Sequence, residues 1–248
     1  MRLAEAVDAV VMLPVLAAAW QGFRRGGIPA LAGLAGCLLG WWWTTARAAE
    51  GAAWVAGAGM LQSLARLLEP AVAGWLPPEV GGAPARPYAV VRALDELAAL
   101  PLRPEVREEL AEGLRSTLVI RDHGAGTVGQ ALALVVARLV LRAVSVYAVP
   151  LLTGLLVAAA ARYLAGCLPV RLPAPLDRLL GILAGAAEAA LVISLALALG
   201  EALAGLWPRE EVTAWLEVLD RSPLAGRLTR WADGRALAAA GLAAAEIP

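Results

Sequence analysis

Three carboxylates interrupt long apolar runs, and these residues have the types and positions best suited to chemistry. Asp8 lies near the start of the first run, Glu188 lies inside the run Leu176–Leu199, and Glu201 follows that run. An ionisable group inside a bilayer costs a few kcal/mol and commonly serves a path for protons or ions. The pattern therefore favours proton-coupled transport, although a buried acid that only packs would leave the same pattern.

Glu188 is the most deeply placed of the three acids. It follows Asp177 by about 11 residues, or roughly 16 Å of helical rise, which puts it near the middle of a membrane. No arginine lies at a comparable depth in the other apolar runs as the sequence delimits them. We therefore expect Glu188 to be neutral, to donate a hydrogen bond, and to face other helices and not lipid.

Three other motifs that could indicate a nucleotide, catalytic or calcium site lack the residues that such sites require. The segment 124–129 matches G-x-G-x-x-G, but no Asp or Glu lies between His123 and Asp177 to hold a ribose. His123, the only histidine, has no accompanying nucleophile motif and reads as a loop residue. Four glutamates share one helix face without a calcium-loop pattern, which favours a solvated surface: Glu105, Glu108, Glu109 and Glu112. We expect no enzyme activity, cofactor or metal.

The composition is that of a membrane protein. The chain is 60% hydrophobic and 17% charged, whereas soluble domains are about a quarter charged. Its formal net charge of zero gives no support for nucleic-acid binding. Cys37 and Cys167 lie in or beside apolar runs without C-x-x-C spacing, so we expect both to be buried.

Apolar runs of spanning length position the acids. Leu176–Leu199 is long enough to cross a bilayer and carries Gly181 and Gly185, a pair that lets a second helix approach closely. The runs 3–23 and 27–46 are joined by a short turn and form an antiparallel hairpin; the second contains Gly36 and Gly40. A cleaved signal peptide is the alternative for the first run, but its start lacks net positive charge.

These elements predict an all-α polytopic membrane protein with about four transmembrane helices. The third helix is expected over 143–161, with 130–142 as an amphipathic approach or an extension of it. The predicted segments are a hairpin over 1–47, an extramembrane helical insert with a Pro/Gly-rich linker over 48–128, helices 3 and 4 over 129–206, and interfacial helices with an Ala-rich tail over 207–248.

Several motifs together resemble the colicin V production (CvpA) family. They are Asp8 in the first helix, the turn Gly22-Phe23-Arg24-Arg25-Gly26, the fourth-helix opening with Asp177, Arg178, Gly181 and Gly185, and the segment RSPLAGRL from Arg221. The resemblance covers 3–46 and about 143–232. The chain departs from the family at Pro29 and Ala30, at Glu188, where the family usually has a basic residue, and in its longer insert.

The resemblance implies a multi-pass protein of the bacterial inner membrane, linked to bacteriocin export and envelope integrity and without known catalysis. We expect a structural or export-assisting role, with the lipid bilayer, further copies of the chain or other envelope proteins as partners. The alternative is a small-solute or proton-coupled transporter or channel built from an oligomer of four-helix units. Basic short turns predict that both termini and the insert lie outside the cytoplasm.

Overall fold

The computed structural model describes residues 2–46, 59–119, 126–167 and 173–232, and within these ranges the regular structure is helical. An isolated bridge between Pro84 and Thr127 is the single β-type pairing of the described residues. The predicted all-α membrane-type fold is confirmed. The helices are α1 (Arg2–Arg25), α2 (Gly27–Ala46), α3 (Met60–Ala73), α4 (Pro78–Gly81), α5 (Pro87–Ala98), α6 (Pro104–Val119), α7 (Val128–Ala143), α8 (Val149–Gly166), α9 (Ala174–Ala204) and α10 (Glu210–Arg221).

Three helical stretches are long and apolar enough to cross a membrane. They are Leu3–Arg25, Val128–Gly166 and Ala174–Ala204. The second joins α7 to α8 through a π-helical turn, Val144–Ala148. A shorter apolar helix covers Gly27–Trp43 within α2. The membrane character of the fold follows from these lengths, while the fourth span stays a prediction.

The described chain packs as two compact units whose boundaries differ from the predicted segments. Among the described residues, the membrane unit comprises α1, α2, Val144–Glu201 and 217–232. The helical unit comprises α3 to α7 together with Ala202–Leu216. The sequence left 130–142 open as an amphipathic approach to the third membrane helix or an extension of it, and in the structure α7 packs within the helical unit.

A closed apolar core explains why α7 belongs to the helical unit. Leu132 of α7 is fully buried together with Leu97 of α5 and Leu110 of α6. The short helices have one apolar face each, and α7 supplies the surface that these faces cover. Trp207 packs edge-on against Trp75 with ring centroids 5.8 Å apart, which attaches the segment after α9 to the same unit.

In the membrane unit, α2 crosses α8 through small residues. A Cβ on Gly40 would lie 2.7 Å from the Cα of Gly154, and one on Gly36 would lie 2.8 Å from the Cα of Ala158. Gly154 and Ala158 are themselves four residues apart, so small residues from both helices form the contact. Close approach of backbones is a main source of helix association in lipid.

A second small-residue crossing joins α1 to α9. A Cβ on Gly181 would overlap the carbonyl oxygen of Gly22, and one on Gly185 would overlap that of Ala18. Each predicted glycine pair therefore faces another helix, but the two pairs face different partners and not one another. The partner pair in α1, Ala18 and Gly22, is also four residues apart but contains one glycine, so it forms no G-x-x-x-G pattern in the sequence.

The two cysteines, both expected to be buried, differ in the structure. Cys37 is buried within the membrane unit, as expected, but the expectation for Cys167 is wrong because it is exposed. Cys167 directly follows the last residue of α8. Near the end of α2, Trp42 and Trp43 are exposed, while Trp41 packs against Trp231 with ring centroids 5.9 Å apart.

The crossing of α1 and α9 predicts unequal effects of leucine at two positions of α9. Gly181→Leu places a large side chain against the backbone of α1 and is expected to lower the free energy of unfolding by about 1–3 kcal/mol or more. Ala187 is exposed, so Ala187→Leu is expected to change it by less than about 0.5 kcal/mol. Unfolding of the detergent-solubilised protein measures both. Equal losses from the two substitutions would contradict specific packing here.

Candidate functional site

The Gly22–Gly27 turn is fixed by a carboxylate from α9. Helix α1 ends where the Gly26 N–H donates to the Gly22 carbonyl at 2.9 Å, and Gly26 has a φ of 93°. The Gly27 N–H, at the start of α2, donates to Oδ1 of Asp177 at 2.8 Å. A carboxylate at a helix N-terminus satisfies a free N–H group and interacts favourably with the helix dipole. Asp177 is thus the cap of α2.

Glycine at position 26 is required by both backbone and space. Its positive φ is unfavourable for residues with a Cβ, and a Cβ there would collide with the Asp177 carboxylate. The next residue, Arg178, places its guanidinium 5.3 Å from the centroid of the Phe23 ring, a favourable cation–π contact. The turn and the start of α9, singled out separately in the sequence, therefore form one contact.

Asp8, near the start of α1, caps a different helix, the one formed by residues 225–232. Its Oδ1 accepts a hydrogen bond from the Ser222 hydroxyl and further bonds from the N–H groups of Leu224 (3.1 Å) and Ala225 (3.3 Å). These N–H groups lie at the start of the helical residues 225–232. Asp8 thus fastens the RSPLAGRL segment to α1, a pairing that sequence spacing could not reveal because the residues are far apart in the chain.

Glu188 is paired with an arginine, which contradicts the expectation that none lies within reach. Nη2 of Arg162 forms a close ion pair with Oε1 of Glu188, and the two side chains are 29% and 14% exposed. The third span was predicted to end at Ala161, but α8 continues to Gly166. Arg162 is therefore a helical residue whose long side chain extends between the helices.

A third helix makes room for this ion pair. A Cβ on Gly33 of α2 would lie 2.7 Å from Nε of Arg162 and 2.8 Å from Oε2 of Glu188. Any larger residue at position 33 would force the two charged groups apart or out of the unit. The charged pair thus depends on contacts among α2, α8 and α9.

A pocket of about 150 Å³ adjoins the ion pair. Its polar lining consists of Gln21 and Arg25 from α1, together with Arg162 and Glu188. The rest of the lining is small or apolar: Ala18, Gly22, Ala30, Gly185, Ala189 and Val192. The small residues that let α1 and α9 cross closely thus also border the pocket, and it is the candidate site of the membrane unit.

The remaining candidates lie away from this pocket. Glu201 is partly buried near the end of α9. In the helical unit, Glu109 pairs with Arg142 at 3.1 Å and Glu112 with Arg115 at 3.5 Å, all exposed. Across the described ranges, no three His, Cys, Asp or Glu side chains are grouped to hold a metal ion.

The described part of the G-x-G-x-x-G match is the packed beginning of α7. The Gly126 N–H donates to Oε1 of Gln130 at 3.0 Å. A Cβ on Gly129 would lie 3.1 Å from the carbonyl oxygen of Gly81, so close backbone packing accounts for this glycine. His123, Gly124 and Ala125 lie outside the described residues.

Comparisons with protein-family models, curated proteins and solved structures give no match to this chain. The described residues define an all-α protein of membrane type, with carboxylate caps from Asp8 and Asp177 and a partly buried ion pair between Arg162 and Glu188. The resemblance to colicin V production proteins therefore stays a prediction.

The cap formed by Asp8 predicts where the chain will loosen when the carboxylate is removed. Asp8→Ala deprives the start of helix 225–232 of its acceptor, so proteolysis after residue 221 in the detergent-solubilised protein is expected to become faster. Glu5→Ala removes an exposed carboxylate from the same helix and should leave cleavage unchanged. Equal cleavage rates in the two variants would show that Asp8 does not hold this segment.

Proposed function

We propose that this chain is a structural, export-assisting protein of a bacterial inner membrane, without enzymatic activity. A structural role is supported by the way in which two acidic motif residues, Asp8 and Asp177, cap helices. Asp8 and Asp177 bond to partners 214 and 150 positions away in the chain, respectively. Carboxylates engaged in such caps stabilise the arrangement of the helices, which supports a structural role for both residues.

The resemblance to the colicin V production family adds the biological setting. A role in bacteriocin export and envelope integrity is its implication for this chain, with the bilayer and other envelope proteins or further copies as partners. The caps agree with this proposal because they join the pieces of sequence that carry the resemblance. Gly26 meets Asp177, and Asp8 meets the segment from Arg221.

A transporter or channel is the second candidate, and the pocket is the observation that favours it. Charged groups inside a membrane protein commonly mark an ion or substrate path, and Arg162 and Glu188 both line this cavity. A unit with few spans would need to oligomerise to enclose a continuous path.

Flux through proteoliposomes separates the two candidates. With the full chain reconstituted, a structural protein gives no proton flux above empty vesicles, whereas a proton-coupled transporter does so and loses it in Glu188→Gln. Export of a bacteriocin by cells lacking the chain is expected to be restored equally by the natural protein and by Glu188→Gln. Flux that Glu188→Gln abolishes would overturn the structural proposal.

Topology gives a further test of the proposed membrane arrangement. Arginines in short turns stay cytoplasmic, which puts the N-terminus, the C-terminus and Leu100 outside. In a background without Cys37 and Cys167, Leu100→Cys is expected to react with a membrane-impermeant maleimide in intact spheroplasts. A cysteine introduced at Arg24 serves as the cytoplasmic control and should react only after permeabilisation; the reverse pattern would contradict the topology.

A further inference from the structure

We propose that the pocket beside the Arg162–Glu188 pair binds a phosphate group carrying one net negative charge. Such a group is supplied by the head group of an anionic phospholipid or by free phosphate. This assignment goes beyond the proposed structural role and does not depend on it, since binding is measured directly and not through export.

The charges of the lining favour a monoanion. Arg25 and Arg162 contribute two positive charges, and Glu188 contributes one negative charge. Glu188 is the less exposed member of its ion pair, and one of its oxygens is already occupied by Arg162. The lining as a whole, with two arginines and one glutamate, therefore carries a net charge of plus one.

The available hydrogen-bond donors also suit phosphate. Neither Arg25 nor Gln21 has a side-chain hydrogen-bond or ion-pair partner among the residues that the structure describes, and both are exposed. They lie four residues apart on α1, so their side chains share one face. A guanidinium can bind phosphate oxygens through two parallel hydrogen bonds, and an amide N–H adds a third.

The shape and position of the cavity fit a head group. The cavity of about 150 Å³ is many times the ~10–15 Å³ that one water molecule needs, so a phosphate with a few waters fits. Arg25 is in the last turn of α1, which is long enough to span a bilayer. Basic pockets between membrane helices near an interface are known to hold anionic lipid head groups.

Lipid binding to the full-length protein tests the assignment. The protein is placed in phosphatidylcholine nanodiscs containing increasing phosphatidylglycerol, and bound phosphatidylglycerol is measured by native mass spectrometry. Arg25→Gln is expected to weaken phosphatidylglycerol binding about tenfold, the effect of losing a charged hydrogen-bond donor. Arg24→Gln is the matched control, because Arg24 is adjacent and exposed but does not line the pocket.

Two further arms identify the source of the phosphate and guard against misfolding. Gln21→Leu keeps every charge and should weaken binding by a smaller factor; it replaces Arg25→Gln as the decisive variant if the latter does not fold. If added inorganic phosphate displaces the lipid, free phosphate occupies the site; if it does not, the lipid is the ligand. Equal binding by Arg25→Gln and the natural protein, or equal losses in the two arginine variants, overturns the proposal. If Arg25→Gln does not fold, unchanged phosphatidylglycerol binding by Gln21→Leu overturns the proposal.

Discussion

The contact of α1 with α9, closed by the cap from Asp177, is the constraint on which the membrane unit depends. Gly22 and Gly181 bring the two backbones together, and this approach leaves Asp177 beside the first N–H group of α2. The tight turn between α1 and α2 is then stabilised by a residue of a third helix. Packing in lipid gains little from the hydrophobic effect, so shape and a capped polar group have to specify this arrangement.

The sequence predicts the elements of this fold better than their partners. The boundaries of α2 follow from an uncharged run between a basic turn and an aromatic cluster, and they agree with the structure. Helix partners are harder to predict, because a G-x-x-x-G pair shows that something packs closely without showing what. The matching small pairs, Ala18 with Gly22 and Gly154 with Ala158, become meaningful only when the helices are placed side by side.

The sequence singled out two polar residues of the candidate pocket, Arg25 and Glu188, but neither Gln21 nor Arg162. Asp8, Asp177 and Glu188 stand out because each is an acid in or beside an apolar run. Their partners are separated from them by many residues. Arg162 fell outside the third helix as predicted, over 143–161, whereas α8 continues to Gly166. A polar residue at the edge of an apolar run belongs equally well to the helix or to the loop on sequence grounds, and long side chains increase that ambiguity.

The placement of the partly buried Arg162–Glu188 ion pair follows from the same packing that creates the pocket. An isolated charge inside the unit would be costly, and pairing lowers that cost only when the groups approach closely. Gly33 permits this approach by leaving space against both side chains. The small residues around Gly22 and Gly185 border a cavity next to the pair, and Arg25 adds a second guanidinium to its lining. Phospholipid head groups at the membrane surface carry phosphate. The packing that stabilises the bundle therefore also forms the surface proposed to bind them.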